Sequence, residues 1–347
     1  MNSRKRCIYC GSSGPFSKEH AIPYSLGQFK GFPELIDMVC ADCNNRNKLK
    51  EEQFLRCGPE AFIKKFLGIT GRKKHKKVNI FERGSAGAPP IDFIGYDPNL
   101  GINILFEFNP GQQTIREVNK QIVFINKIGE FFPLRVPDWI EDNKQFLKYI
   151  KEKVPKGNYD ARFFGDDEFL QRMKILTSGI GKNFTISGPS PETTVETPKT
   201  VYRVTDLYFR AIAKIAFHYL LAVVDFYRGD EDIFKPIRDF VINGGVVEDF
   251  VKQKSKEPIE PVLPNWWTHI IKMDSGYGGI FIYLQFFINT RDNPLPDMLQ
   301  NKFMVRLSRN HVPPKLINRR CHHFVYYQPI QKVDGYYGKV IESEFKD

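Results

Sequence analysis

From 205 to 227 hydrophobic side chains occupy nearly every face of a segment free of Pro and Gly, which predicts a buried helix central to a core. Its polar residues Arg210, Lys214 and His218 recur every four positions and share one stripe. That stripe reads as a solvent-facing seam, with an anion-binding ridge as its functional alternative. Periodic segments at 140–153 and 166–178 predict two further helices, and 233–243 another, with Pro236 in its first turn and Gly244-Gly245 as its stop. A short amphipathic helix is expected at 59–67, opened by Pro59 and ended by Gly68.

Alternating patterns predict strands elsewhere. Residues 91–96 and 102–108 form one expected hairpin, 121–126 and 131–136 a second, and 269–273 with 280–287 a third, while 303–307 and 323–327 complete a sheet. The glycines at 276–279 are turn chemistry rather than a nucleotide cradle, because no helix follows them. The stretch at 85–90 is linker-like, and 187–194 is a polar, Pro-rich loop. The fold class is therefore α+β, with a small N-terminal unit (1–58), a helix and basic connector (59–84) and a larger mixed α+β domain of unassigned role (85–347).

Composition narrows the class. Of 347 residues 41% are hydrophobic and 14% aromatic, which excludes a disordered chain. The N-terminus lacks the apolar core of a secretory signal and no uncharged apolar run reaches membrane-spanning length, so a cytoplasmic protein without a membrane partner is expected. The net charge is +11, and residues 1–80 carry 16 Lys+Arg against 7 Asp+Glu, so nearly all the excess lies in the first quarter of the chain. That is where a phosphate-backbone footprint would be sought. The bland alternative is a solvated lysine-rich surface.

The N-terminal unit also carries the chemistry. Cys7 and Cys10 form one C-x2-C pair and Cys40 and Cys43 a second, the spacing of two knuckles closing a tetrahedral thiolate site. With all four positions filled by protein, such a zinc is structural, and in a unit this small it would supply much of the folding free energy. Between the pairs, Glu19-His20 precedes the apolar run Ala21-Ile22-Pro23, expected as a strand, and Met38-Val39 enters the second knuckle as another. A helix is expected from Asn44 to Arg56, with Asn44 as its N-cap and Leu49, Phe54 and Leu55 on its inner face. Two strands and a helix in that order place Glu19, His20 and Asn44 together, with a helix N-terminus directed at them. Asn47 and Lys48 follow on the first turns as possible phosphate contacts or plain surface.

The pattern C-x2-C, Glu-His-x-x-Pro, C-x2-C-Asn resembles the HNH endonucleases, the ββα-metal nucleases of bacteria and phages, over residues 7–57. The resemblance implies hydrolysis of phosphodiester bonds in DNA with one catalytic Mg2+ or Mn2+ beside the structural Zn2+. It implies His20 as the general base, with Glu19 and Asn44 as catalytic residues that ligate the metal. Glu19 stands where the family usually has Asp. The family's middle Asn has no direct match; Glu34 to Asp37 fill that region, and Asp37 is the substitute considered. Double-stranded DNA is the implied partner, gripped by Lys18, Arg46 and Lys48 and by the basic run Arg72, Lys73, Lys74, Lys76 and Lys77. By analogy with restriction and phage-defence enzymes, the larger domain would select sites, bind a regulatory partner or pair with a second copy. The rival reading is a non-catalytic zinc-ribbon module that binds nucleic acid. Cys321-His322-His323 is set aside as a metal site because successive strand residues face opposite sides. Trp266-Trp267 and Tyr336-Tyr337 are read as packing at a core edge in preference to base-stacking platforms.

Overall fold

Strand β1 (Phe16–His20) pairs antiparallel with β3 (Glu34–Cys40), and the chain between them forms a 3-10 turn at Tyr24–Leu26 and the two-residue strand β2 (Phe29–Lys30). These elements belong to a computed structural model that describes residues 5–69, 92–97, 100–109, 114–178, 184–186, 199–201, 204–254, 267–276, 279–288, 302–309, 320–327, 333, 334, 336 and 338–344. The expected strand at 21–23 is displaced to the residues before it. Ala21 and Ile22 are buried and run into the 3-10 turn, whose N-cap Pro23 has no N–H to give a ladder.

Helix α1 (Ala41–Cys57) starts four residues earlier than the sequence implies, because Cys40 rather than Asn44 caps it: its sulfur accepts the Cys43 N–H at 3.4 Å. Asp42 in the first turn and Arg56 in the last suit the helix dipole. Its buried stripe is Cys43, Asn47, Lys50, Phe54 and Cys57. Helix α2 (Pro59–Phe66) follows with Pro at its start. The Gly58 between them admits no side chain, since a Cβ there would lie 2.4 Å from the Tyr208 ring.

Residues 91–201 gather into a compact unit of their own. It contains β4 (Asp92–Asp97), β5 (Ile102–Asn109), β6 (Thr114–Glu117), β7 (Gln121–Asn126), β8 (Phe131–Arg135), α3 (Asn143–Lys153), β9 (Tyr159–Phe164), α4 (Asp167–Thr177), β10 (Phe184–Ile186) and β11 (Lys199–Val201). Two four-stranded sheets result, ordered β11-β4-β5-β6 and β10-β9-β7-β8. Alternation buries Ile122, Phe124 and Phe163 against Phe146, Phe169 and Met173 of the helices. Gln121 stitches β5 to β7, accepting the Leu105 N–H at 2.7 Å and donating to the Val118 carbonyl at 2.9 Å.

The second unit unites residues 1–90 with 202–347. Its later elements are α5 (Asp206–Val223), α6 (Lys235–Asn243), β12 (Val251–Lys254), β13 (Thr268–Gly276), β14 (Gly279–Ile288), β15 (Lys302–Arg306), β16 (Arg320–Tyr326) and β17 (Gly338–Glu344). A seven-stranded sheet runs β12-β15-β14-β13-β16-β17-β2, so the N-terminal β2 adds to the sheet in parallel with β17. Cys7, Ile8, Val39 and Phe54 share one core with Phe217, Leu220, Phe286 and Phe324. The N-terminal module thus buries its apolar face on α5 and the C-terminal sheet instead of standing apart from a body running from 85 to 347. The expected linker at 85–90, the basic run at 72–77 and the polar loop at 187–194 lie outside the described residues.

Helix α5 is buried on all faces, as its composition demands, and this corrects the reading of its polar stripe. Arg210, Lys214 and His218 are 8%, 1% and 0% exposed, so they form no solvent-facing seam. Among the described residues no helix is long and apolar enough to cross a membrane.

Candidate metal centre and adjoining cleft

The four cysteines converge as their spacing predicts. The first knuckle closes on a backbone bond: the Gly11 N–H reaches the Cys7 carbonyl at 2.8 Å, with Gly11 at φ +72°, where glycine is at ease. The Cys40 N–H points at Cys7 Sγ and the Cys43 N–H at Cys40 Sγ, both at 3.4 Å, donors that favour thiolates. All four sulfurs lie within 4.8 Å of one another, and Cys10 and Cys40 Sγ are 3.6 Å apart. Zn–S bonds of about 2.3 Å require sulfurs roughly 3.8 Å apart in a tetrahedron. The cluster can therefore hold a metal such as zinc, with no coordination position left for a reactant.

Among the described residues no other group of three or more His, Cys, Asp or Glu side chains converges in this way. Cys321-His322-His323 is no exception: His322 turns to Tyr219, its Nδ1 2.5 Å from the phenol oxygen, while Cys321 Sγ lies 3.7 Å from His323 Nε2.

Beside the knuckles lies a cleft of about 280 Å³ that brings together Glu19, His20 and Asn44, with Lys18, Lys48 and Glu51 on its walls. Strand β1 supplies the first two and α1 supplies Asn44, now inside its first turn. Lys18 and Lys48 are exposed, as is Arg46, which lies on α1 but outside the cleft lining. Asn47, by contrast, is fully buried and accepts from Lys50 Nζ at 3.1 Å. The five basic residues from Arg72 to Lys77 fall outside the described residues.

His20 is half-buried, its ring edge on Tyr24 with centroids 5.2 Å apart. The ladder places Glu34 directly across from it, and Glu34 Oε1 is 3.6 Å from His20 Nδ1, a charge contact rather than a hydrogen bond. Asp37 sits at φ +59° and pairs with Lys5. A second hollow on the far side of His20 is bordered by Tyr24, Phe32, Glu34 and Tyr336.

Glu19, across the strand from His20, is buried and meets α5. Lys214 Nζ donates to Oε1 of Glu19 and to Oε1 of Glu51, each at 2.5 Å, and His218 Nδ1 lies 3.9 Å from Glu19 Oε1. The Tyr9 hydroxyl, within the first knuckle, is 2.8 Å from His218 Nε2. Burial alone would lower the Lys214 pKa, but Glu51 and Glu19 outweigh it and raise the value, so this ammonium is firmly charged. Burial, with Lys214 beside it, pushes His218 well below the usual histidine range and keeps it neutral. Lys50, buried on α1, is lowered to about 8, by burial first and then by Arg210 and Lys214.

The result is a cleft lined by a half-buried histidine, by the oxygen donors Glu19, Asn44 and Glu51, and by two exposed lysines. Three contributors are absent from the sequence motif. Glu34 is signalled by its register opposite His20 and Glu51 by its helical phase after Asn44. Lys214 lies on the α5 stripe, which the sequence singles out without its partner. No protein-family model, curated protein or solved structure matches the chain.

Proposed function

We propose that this protein is a metal-dependent endonuclease of the HNH type that hydrolyses phosphodiester bonds in DNA. The observation that carries the reading is the convergence of Glu19, His20 and Asn44 on one cleft beside a four-cysteine knuckle. His20 takes the proton of the attacking water, and Glu34 stabilises the imidazolium that forms. Lys18 and Lys48 on the rim hold the phosphate backbone as point charges.

Glu19 and the Asn44 amide oxygen fit a hard divalent cation, which prefers few oxygen ligands and keeps several waters. Bound there, Mg2+ or Mn2+ stabilises charge on the phosphate and the leaving oxygen. Zinc in the cysteine cluster braces the elements that carry these groups.

The alternative, a zinc module that binds nucleic acid without cutting it, draws on the Lys214 contact, which already engages one oxygen of Glu19. Incubation of the pure protein with plasmid DNA separates the two. Cutting with Mg2+ or Mn2+ that stops with EDTA, and that falls by about 10²-fold or more in His20→Ala at unchanged melting temperature, supports the enzyme. Asn44→Ala is expected to raise the Mg2+ or Mn2+ concentration needed for cutting. DNA binding without cutting under either metal, indifferent to His20→Ala, sinks the nuclease.

A further inference from the structure

The strand that carries Glu19-His20 and the helix that carries Asn44 are tied together by a residue far away in the sequence. Lys214, 2% exposed along its side chain, donates to Glu19 Oε1 on β1 and to Glu51 Oε1 on α1. Both carboxylates also line the cleft with His20 and Asn44. His218, one turn further along α5, stands 3.9 Å from the same oxygen of Glu19 and is bound through its other nitrogen to Tyr9. A buried ion pair is a poor way to gain stability, because well-packed apolar side chains of the same volume do as well or better. An ammonium held between two cleft carboxylates is better explained by geometry: one oxygen of Glu19 is fixed, and with it the side chain's orientation.

We propose that Lys214 is a positioning residue of the hydrolytic site, setting the Glu19 carboxylate of β1 against Asn44 of α1 through the shared contact with Glu51. This rests on the nuclease reading above. It makes the α5 region part of the site, so that the N-terminal motif is incomplete without the chain beyond residue 202.

Lys214→Met in the full-length protein tests it, with Mn2+ binding followed by calorimetry beside DNA cleavage. Displacement of a reacting group by about 1 Å costs roughly 10²-fold, so turnover at saturating Mn2+ and DNA is expected to fall by about that factor. KM should change by less than about threefold, since ground-state binding is untouched. Mn2+ affinity is expected to hold or tighten, because a positive charge has been removed from beside the cation. A brace without a positioning role would instead lower melting temperature and Mn2+ affinity together and leave turnover per Mn2+-loaded protein unchanged.

The double variant Lys214→Met/Glu51→Gln removes one of the two carboxylate charges that Lys214 had paired, leaving only Glu19, and should recover part of the melting temperature while turnover stays low. Recovery of turnover in the double variant overturns the proposal, because neutralisation alone would then suffice. If the wild-type protein neither binds Mn2+ nor cuts DNA, the nuclease reading itself fails and the inference with it.

Discussion

The two compact units differ most in what they bury. Within 91–201, Asp97 and Gln121 are the only polar side chains buried among the described residues, and the core is otherwise Ile, Leu, Val, Met, Phe and Ala. The unit formed by 1–90 and 202–347 buries Glu19, Asn47, Lys50, Glu60, Lys64, Arg210, Lys214 and His218 in or near the packing of α1 and α5. Buried charge is costly unless paired, and Lys214 meets that condition through Glu19 and Glu51, both of which line the cleft. Among the described residues of 91–201 the buried polar side chains are fewer, although burial and Asp97 push the Glu117 carboxyl up to about 7.

That contrast is tested most sharply at the four-cysteine cluster, which can hold a metal such as zinc. Metal analysis should find about one zinc per chain, lost in Cys40→Ser or on treatment with a strong chelator. Structural zinc contributes on the order of 10 kcal/mol in isolated modules, and the loss should collapse β1, β3 and the start of α1. Amide exchange at Ile122, Val123 and Phe163 should stay slow under the same treatment, since those buried residues belong to the other compact unit. Equal loss of protection in both units would show that they unfold as one cooperative body.

The converse experiment is smaller. Phe163, 1% exposed in the core of the 91–201 unit, should cost about 3–5 kcal/mol when changed to Ala, a loss of transfer energy plus a cavity. Zinc content and any DNA cleavage should be unaffected at temperatures where the unit remains folded. A parallel loss of cleavage would give residues 91–201 a part in the reaction that nothing in their interior indicates.

How much of this was legible in the sequence follows from the range of the interactions. Hairpins such as β13 with β14, and helices α3 and α4, are written in local periodicity and were expected within a few residues. The cysteine cluster was legible because metal geometry constrains spacing directly. Helix α1 begins earlier than expected because a cysteine sulfur, not an asparagine, serves as its cap, a role that thiols seldom play. Longer-range features were not legible. Periodicity shows that Lys214 shares a stripe with Arg210 and His218, but not that the stripe meets Glu19, 195 residues earlier. With no partner in view, a polar stripe is assigned to solvent by default. Strand β2 is two residues long, too short to carry an alternating pattern, yet it extends the seven-stranded sheet.

The smallest expected effect sharpens the same comparison through two helix caps. Helix α4 is capped by Asp166, whose carboxylate accepts the Phe169 N–H at 2.8 Å and does nothing else that the site requires. Asp166→Ala should therefore cost about 1 kcal/mol, the usual value for a lost cap. That loss is confined to the 91–201 unit and detectable as a small fall in denaturation midpoint with an unchanged slope. Helix α1 uses Cys40 for the same purpose, but that sulfur also belongs to the four-cysteine cluster, so a substitution there removes a cap and a metal ligand together. If Asp166→Ala and Cys40→Ser destabilised the protein equally, the cluster would be contributing no more than a hydrogen-bond acceptor, and the view of the N-terminal module as metal-braced would have to be given up.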